Sequence, residues 1–214
     1  AVSAGGFSVD AAEATGPEGG IPEHEVLALL TRLVEKSLVL LDADGERYRL
    51  LDTIREYALQ RLEVTAETAA ARTRHRDHFL AYVEQAFPEL FGEQRAMWIG
   101  RLDRELDNVL AAHACCAAEP GGGPLDLRLV HAIKPYYYHR GLLGLALRIT
   151  TEALEHPGAA ARDVLRCRGL FDAGQLCSFM GQYVIAQTYL EQSLAIAREI
   201  DDRQRIAAVL QPLG

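Results

Sequence analysis

The chain has 214 residues, 49% of them hydrophobic and 24% charged, with a formal net charge of −8, within the ordinary globular range for one or two domains. No apolar run approaches the length of a membrane span, and no basic segment leads into an apolar one as in a secretory signal. The acidic balance opposes binding to a phosphate backbone, whose affinity comes largely from Lys and Arg displacing counterions.

That balance is uneven. Residues 1–62 hold six basic and eleven acidic side chains, whereas residues 125–214 hold ten and nine. Cys115 and Cys116 are adjacent, and Cys167 and Cys177 have nine residues between them. Neither zinc-knuckle nor CxxC spacing results, so reduced thiols in a cytoplasmic protein are expected.

In chain order, residues 1–20 are small and polar, and Gly16 to Pro22 (GPEGGIP) cannot hold a helix. Val26, Leu27, Leu30, Leu33, Val34 and Leu38 then recur at helical spacing. Leu38–Leu41 and Tyr48–Leu51 flank the turn-rich Asp42-Ala43-Asp44-Gly45-Glu46, which predicts a β-hairpin. A helix follows, with Thr53-Ile54-Arg55-Glu56 in capping-box form and Asp52 as the alternative cap. Residues 66–118 read as two helices broken near Pro88 and Gly92, carrying Phe79, Leu80, Val83 and Phe87, then Trp98, Leu102, Leu106, Val109 and Leu110. Glu119 to Pro124 is the clearest linker.

Beyond it the sequence repeats. A shift of forty residues carries Gly141 onto Gly181, Ala146 onto Ala186, Leu154 onto Leu194 and Gly174 onto Gly214. Each register predicts a helix, a glycine turn, and a second helix with a small residue near its start, so that each hairpin buries its apolar face against the next. The chain lacks an initiator Met and stops inside a repeat, so a piece of a longer polypeptide is expected.

Ala173-Gly174…Gly181-Gln182-Tyr183…Ala186…Leu194-Ala195 resembles a tetratricopeptide repeat of long period. Ala4–Ser8 (AGGFS), Leu30–Val39 (LTRLVEKSLV), Tyr48–Ala58 (YRLLDTIREYA) and Arg101–Val109 (RLDRELDNV) together resemble the region after the nucleotide-binding core in bacterial STAND signal-transduction ATPases. These are relatives of the LuxR-type and antibiotic-regulatory transcription activators. The resemblance implies a mainly α fold: a winged-helix domain with a small hairpin over 1–62, a helical connector over 63–118, a linker over 119–124, and a tetratricopeptide-like solenoid over 125–214. It further implies an ATP/ADP-switching domain upstream, against which the winged helix packs as an internal lever, while the repeats take a protein or small-molecule inducer. The output is expected to be transcriptional; the alternative is the regulatory arm of a multidomain protein kinase or nucleotide cyclase.

No Walker A sequence occurs, so no cofactor is expected on this chain itself. Related switch proteins carry Met-His-Asp where Leu50-Leu51-Asp52 stands here, and their His touches the ADP phosphate. Leu51 has no polar atom to offer, and Asp52 is as readily a helix cap.

Three clusters invite sharper readings. His75-Arg76-Asp77-His78 has two histidines at i, i+3 but no third metal ligand; with Arg72 and Arg74 it reads as a basic helix face, open to an acidic domain or a phosphate. Tyr136-Tyr137-Tyr138, with Arg140 nearby, is a candidate partner or ligand surface, although successive helical side chains point about 100° apart and at least one ring must pack inward. The helix Leu30–Leu38 offers Thr31, Arg32, Lys36 and Ser37 to DNA, but its acidic domain argues for an internal role, without direct nucleic-acid contact. No catalytic constellation has supporting context, so no enzyme activity is expected here.

Overall fold

The computed structural model describes residues 2–16, 22–64 and 67–213. The architecture is mainly helical: α1 (Val9–Thr15), α2 (Glu23–Glu35), β1 (Val39–Leu41), β2 (Tyr48–Leu50), α3 (Asp52–Val64), α4 (Thr68–Glu89), α5 (Arg95–Ala118), α6 (Gly123–Arg140), α7 (Leu143–Glu155), α8 (Val164–Phe179), α9 (Tyr183–Glu199) and α10 (Arg203–Leu210). It divides into two compact units, residues 1–82 with 100–115 and residues 83–99 with 116–214. Among the described residues no helix is long and apolar enough to cross a membrane. The four cysteines are free thiols.

In the first unit, α1 stands where the composition suggested no helix. Ser8 caps it, accepting from the Ala11 amide at 3.2 Å, and its Ala-rich turns bury Ala11. Most of the breaker segment, 17–21, lies outside the described residues. Ahead of α1, Phe7 and Tyr48 exchange backbone hydrogen bonds of 2.9 and 2.8 Å, so the N-terminal segment adds one bridge to the hairpin edge. β1 and β2 pair antiparallel with Val39 opposite Leu50 and Leu41 opposite Tyr48. Gly45 sits at φ +75° in the connecting turn, where a Cβ would be strained. α2 ends through Ser37, also left-handed, with the Leu38 amide donating back to Leu33 at 3.0 Å.

One cap differs from expectation. α3 begins at Asp52, so Asp52 is its first helical residue rather than its cap, and Thr53 lies further in. The Asp52 carboxylate still favours this end of the helix through the macrodipole.

The first unit buries a polar network beside apolar residues such as Phe79, Leu102 and Val109. Buried Arg47, just before β2, pairs with buried Glu105 on α5 and donates to the Arg104 carbonyl at 3.0 Å. Asn108, one turn on, donates from Nδ2 to Glu105 at 2.7 Å and to the Gly6 carbonyl at 2.8 Å. Its oxygen accepts from the Ala4 amide at 2.8 Å and from His75 Nε2 at 3.3 Å. One buried network thus fastens the N-terminal segment, the hairpin and α4 to α5. The close approach of Gly6, whose Cβ would come within 3.2 Å of the Tyr48 carbonyl, leaves room for it.

The second unit is an array of helical hairpins. α6 meets α7, α7 meets α8, α8 meets α9, and α9 meets α10. The forty-residue register is visible in the backbone. Gly141 and Gly181 are both left-handed, at φ 68° and 74°. The residue after each donates back into the helix, Leu142 to Tyr137 at 2.8 Å and Gln182 to Cys177 at 2.9 Å. Ala146 and Ala186, five residues past each glycine, are buried. At Gly174 a Cβ would stand 2.7 Å from Leu190 Cγ and 3.2 Å from the Ala186 carbonyl, so α8 and α9 touch through small residues.

The expected linker is a packed corner. α5 runs to Ala118 and α6 begins at Gly123, both ends within the second unit. A Cβ on Gly122 would fall 2.0 Å from the Cys116 carbonyl oxygen, and one on Gly123 2.6 Å from the Ala159 amide. His156 closes the corner, its Nδ1 accepting from the Gly158 amide and its Nε2 donating to the Glu119 carbonyl, both at 3.0 Å.

Candidate functional site

In the second unit, α6, α8 and α10 present one side of each to a cleft of about 510 Å³. Arg128 and His131 come from α6, Leu165 and Arg168 from α8, and Arg205 from α10, with Glu84 and Phe87 of α4 completing the wall. Helical periodicity brings them together: 128 and 131, and 165 and 168, are i, i+3 pairs.

The charges in this cleft fall into two groups. Arg128 is engaged, holding Glu84 bidentate with both contacts at 2.8 Å. His131 Nδ1 meets Asp172 at 2.6 Å, and its ring packs 5.1 Å from that of Phe87. Asp172 is 1% exposed and also takes Lys134, which in turn donates to Gln175 at 2.7 Å. Burial alone would raise the Asp172 pKa, but Lys134 and the His131 hydrogen bond outweigh it and hold the carboxyl below the usual carboxylate range. Arg168 is different. Its Nε is buried and has no hydrogen-bond partner among the described residues. Burial, followed by the positive charge of Arg205, lowers its pKa, with Asp172 and Asp202 acting the other way.

The sequence signal for this cleft was the forty-residue shift itself, which carries Leu125 onto Leu165 and Arg128 onto Arg168. The aromatic triplet drew attention instead. Tyr136 and Tyr137 are core residues, 2% and 0% exposed, and present no surface. Only Tyr138, against Phe179 at 4.9 Å between ring centroids, and Arg140 are exposed.

The expected basic face on α4 is also corrected. Arg72 is exposed, and half-buried Arg74 donates to the Thr15 carbonyl at 3.4 Å. His75 and Arg76 are buried, Arg76 donating to Asp77 at 2.8 Å. Burial pushes the His75 pKa down to about 4, so it is a neutral core histidine. Among the described residues no group of three or more His, Cys, Asp or Glu could hold a metal. Leu51 and Asp52 are exposed.

The first unit has its own cavity, about 550 Å³ and mainly apolar, lined by Phe7, Leu30, Leu33, Val39 and Leu50 among others. Arg32 and Lys36, the candidate DNA contacts, border it.

Against known proteins, the chain is 31% identical over 219 residues to proteins of Mycobacterium tuberculosis and Mycobacterium bovis named "putative HTH-type transcriptional regulator". The match covers 98% of this chain and 24% of each relative, so the chain spans about a quarter of their length. An uncharacterized protein of M. tuberculosis is 37% identical over 81 residues, covering 36% of this chain and 21% of that one. No family model and no solved structure matches.

Proposed function

We propose that this chain is a regulatory region of a larger, cytoplasmic transcription regulator of the STAND ATPase type. The observation that carries the reading is the similarity to HTH-type regulators along nearly the whole chain, in proteins about four times as long. Their names favour a transcriptional output over a kinase or cyclase. On this reading the first unit, with its helix–hairpin–helix order, is a winged helix acting as an internal lever against an upstream nucleotide-binding domain. The second unit is a tetratricopeptide-like array that takes the inducer or partner.

Two features support this division. The polar network of the first unit holds the hairpin rigidly to α5, as a lever requires. The Arg32 and Lys36 side chains border an apolar cavity of an acidic segment rather than a basic surround, which disfavours DNA as the direct ligand. The chain has no phosphate loop, and Leu51 offers no phosphate contact, so nucleotide belongs to the upstream domain.

Deletion of residues 125–214 from the full-length regulator tests the reading in a reporter strain. We expect output fixed at one level, with inducer response lost and promoter binding by the output domain retained. An intact inducer response rejects the sensing role. The purified chain should neither hydrolyse ATP nor shift duplex DNA at about 150 mM salt; sequence-specific retention lost on Arg32→Glu with Lys36→Glu rejects the lever.

A further inference from the structure

We propose that the cleft between α6, α8 and α10 binds a small organic anion, its charge between Arg168 and Arg205 and its apolar body on Phe87, Leu127 and Leu165. The inference rests on the sensing role of the second unit and names the ligand class.

The argument begins with the balance of charge. Four cationic or potentially cationic side chains, Arg128, His131, Arg168 and Arg205, line the cleft against one carboxylate, Glu84. Glu84 is consumed by its bidentate pair with Arg128. The two acids just outside are also committed: Asp172 to Lys134 and His131, and Asp202 to capping α10, accepting from the Arg205 amide at 3.0 Å. Two guanidinium groups, one from α8 and one from α10, therefore share a cavity whose carboxylates are already engaged.

The second observation is the orphaned donor. A buried N–H without an acceptor is destabilising, and guanidinium–anion hydrogen bonds are among the strongest available. An anion held by the Arg168 guanidinium, with a small rotation that turns Nε to the cleft, would satisfy this donor and relieve the repulsion between Arg168 and Arg205. The volume, about 510 Å³, suits a small molecule rather than a folded segment. Phe87, Leu127, Ala132 and Leu165 supply an apolar wall, so the fitting ligand is amphipathic: a carboxylate or phosphate monoester on a hydrocarbon or aromatic body.

Titration of the purified chain with phenylacetate, phenyl phosphate and neutral phenylacetamide tests this, read by calorimetry and by arginine Nε–H resonances. We expect saturable binding of at least one anion with movement of the Arg168 resonance, and no binding of the amide. The two anions distinguish a carboxylate ligand from a phosphate. Arg168→Gln should weaken binding at least about tenfold and Arg205→Gln several-fold; the second variant keeps the test open if the first does not fold. Equal binding of the amide, affinity unchanged in a folded variant, or no saturation by either anion at about 20 mM overturns the proposal. Such a failure leaves the deletion experiment standing, since a protein partner could still engage the array; anion binding alongside an intact inducer response in the deletion would instead remove the sensing role alone.

Discussion

The two units hold their helices together with a different balance of polar and apolar contacts. In the first, buried polar groups far apart in sequence are tied to one another: Arg47 reaches Glu105, and Asn108 reaches Gly6 and Ala4. In the second, successive helices pack mainly through small and apolar residues, with Gly174 against Ala186 and Leu190, and one buried polar cluster, Asp172 with His131 and Lys134, bridges α6 and α8. A non-local polar network is satisfied all at once or not at all, whereas nearest-neighbour packing can fail locally. The first arrangement suits a rigid element that transmits a movement, and the second suits a surface that adapts to a ligand.

The largest effect should come from breaking the network. Glu105→Ala leaves the Arg47 guanidinium buried without its carboxylate and removes one acceptor of Asn108. Breaking a buried pair in this way costs about 3–5 kcal/mol. Chemical denaturation combined with hydrogen exchange should show protection lost together in the hairpin, in 68–82 and in 100–115. Selective loss near residue 105 alone would mean that the network is a set of independent bonds.

Acid probes the same network more gently. His75 donates to Asn108 and is neutral in the fold, its pKa lowered from 6.5 to about 4, chiefly by burial. Below pH 6.5 the unfolded chain takes up a proton that the folded chain refuses. Stability from this residue is therefore complete above that pH and is lost as pH falls from 6.5 towards 4, by about 3 kcal/mol in total. Urea unfolding between about pH 7.5 and pH 4.5 should slope accordingly, and His75→Gln should flatten the slope. An equal slope in the variant would assign the acid sensitivity elsewhere, with His78, also lowered by burial, as the first candidate.

How much of this was legible in the sequence follows from the same contrast. The hairpin was readable because its turn is local chemistry, with Gly45 at positive φ between two short strands, Val39–Leu41 and Tyr48–Leu50. The repeat was readable because Gly141 and Gly181 do the same backbone job forty residues apart. Arg47, His75, Glu105 and Asn108 carry no local mark of burial; only the fold brings them together. His75 and Arg76 were read as a surface because charged residues usually are one, and here a buried network and the neighbouring Asp77 receive them. α1 was missed because seven residues are too few for periodicity to register, while the cap at Ser8 was there to be read.

Overpacking tests the second unit's side of the comparison. Ala186→Leu adds three carbons where α9 approaches Gly174, and such insertions cost about 1–3 kcal/mol. Hydrogen exchange should quicken through 160–210 and remain unchanged through 26–62. Uniform loss across the chain would make it one cooperative body and dissolve the contrast between the units.

The smallest effect, and the sharpest for the nature of the second core, is at Tyr137. Its ring is fully buried edge-on to Tyr136, 5.4 Å between centroids, and its hydroxyl has no hydrogen-bond partner among the described residues. Burial, followed by the neighbouring Tyr136, raises its pKa above the ordinary tyrosine value, and the charge of Arg148 offsets this only in part. Tyr137→Phe removes the unpartnered oxygen and keeps the ring, so it should leave stability unchanged or raise it by up to about 1 kcal/mol. Tyr138→Phe, at an exposed ring, is the matched control and should change nothing measurable. Thermal unfolding of the two variants beside the parent decides the point. If Tyr137→Phe destabilises by about 1 kcal/mol or more, its hydroxyl is satisfied by an internal water. The second unit would then hold a further buried polar site beyond the Asp172 cluster. A neutral or stabilising result keeps the core around Tyr137 apolar, with the second unit's buried polar bonding confined to clusters such as that of Asp172.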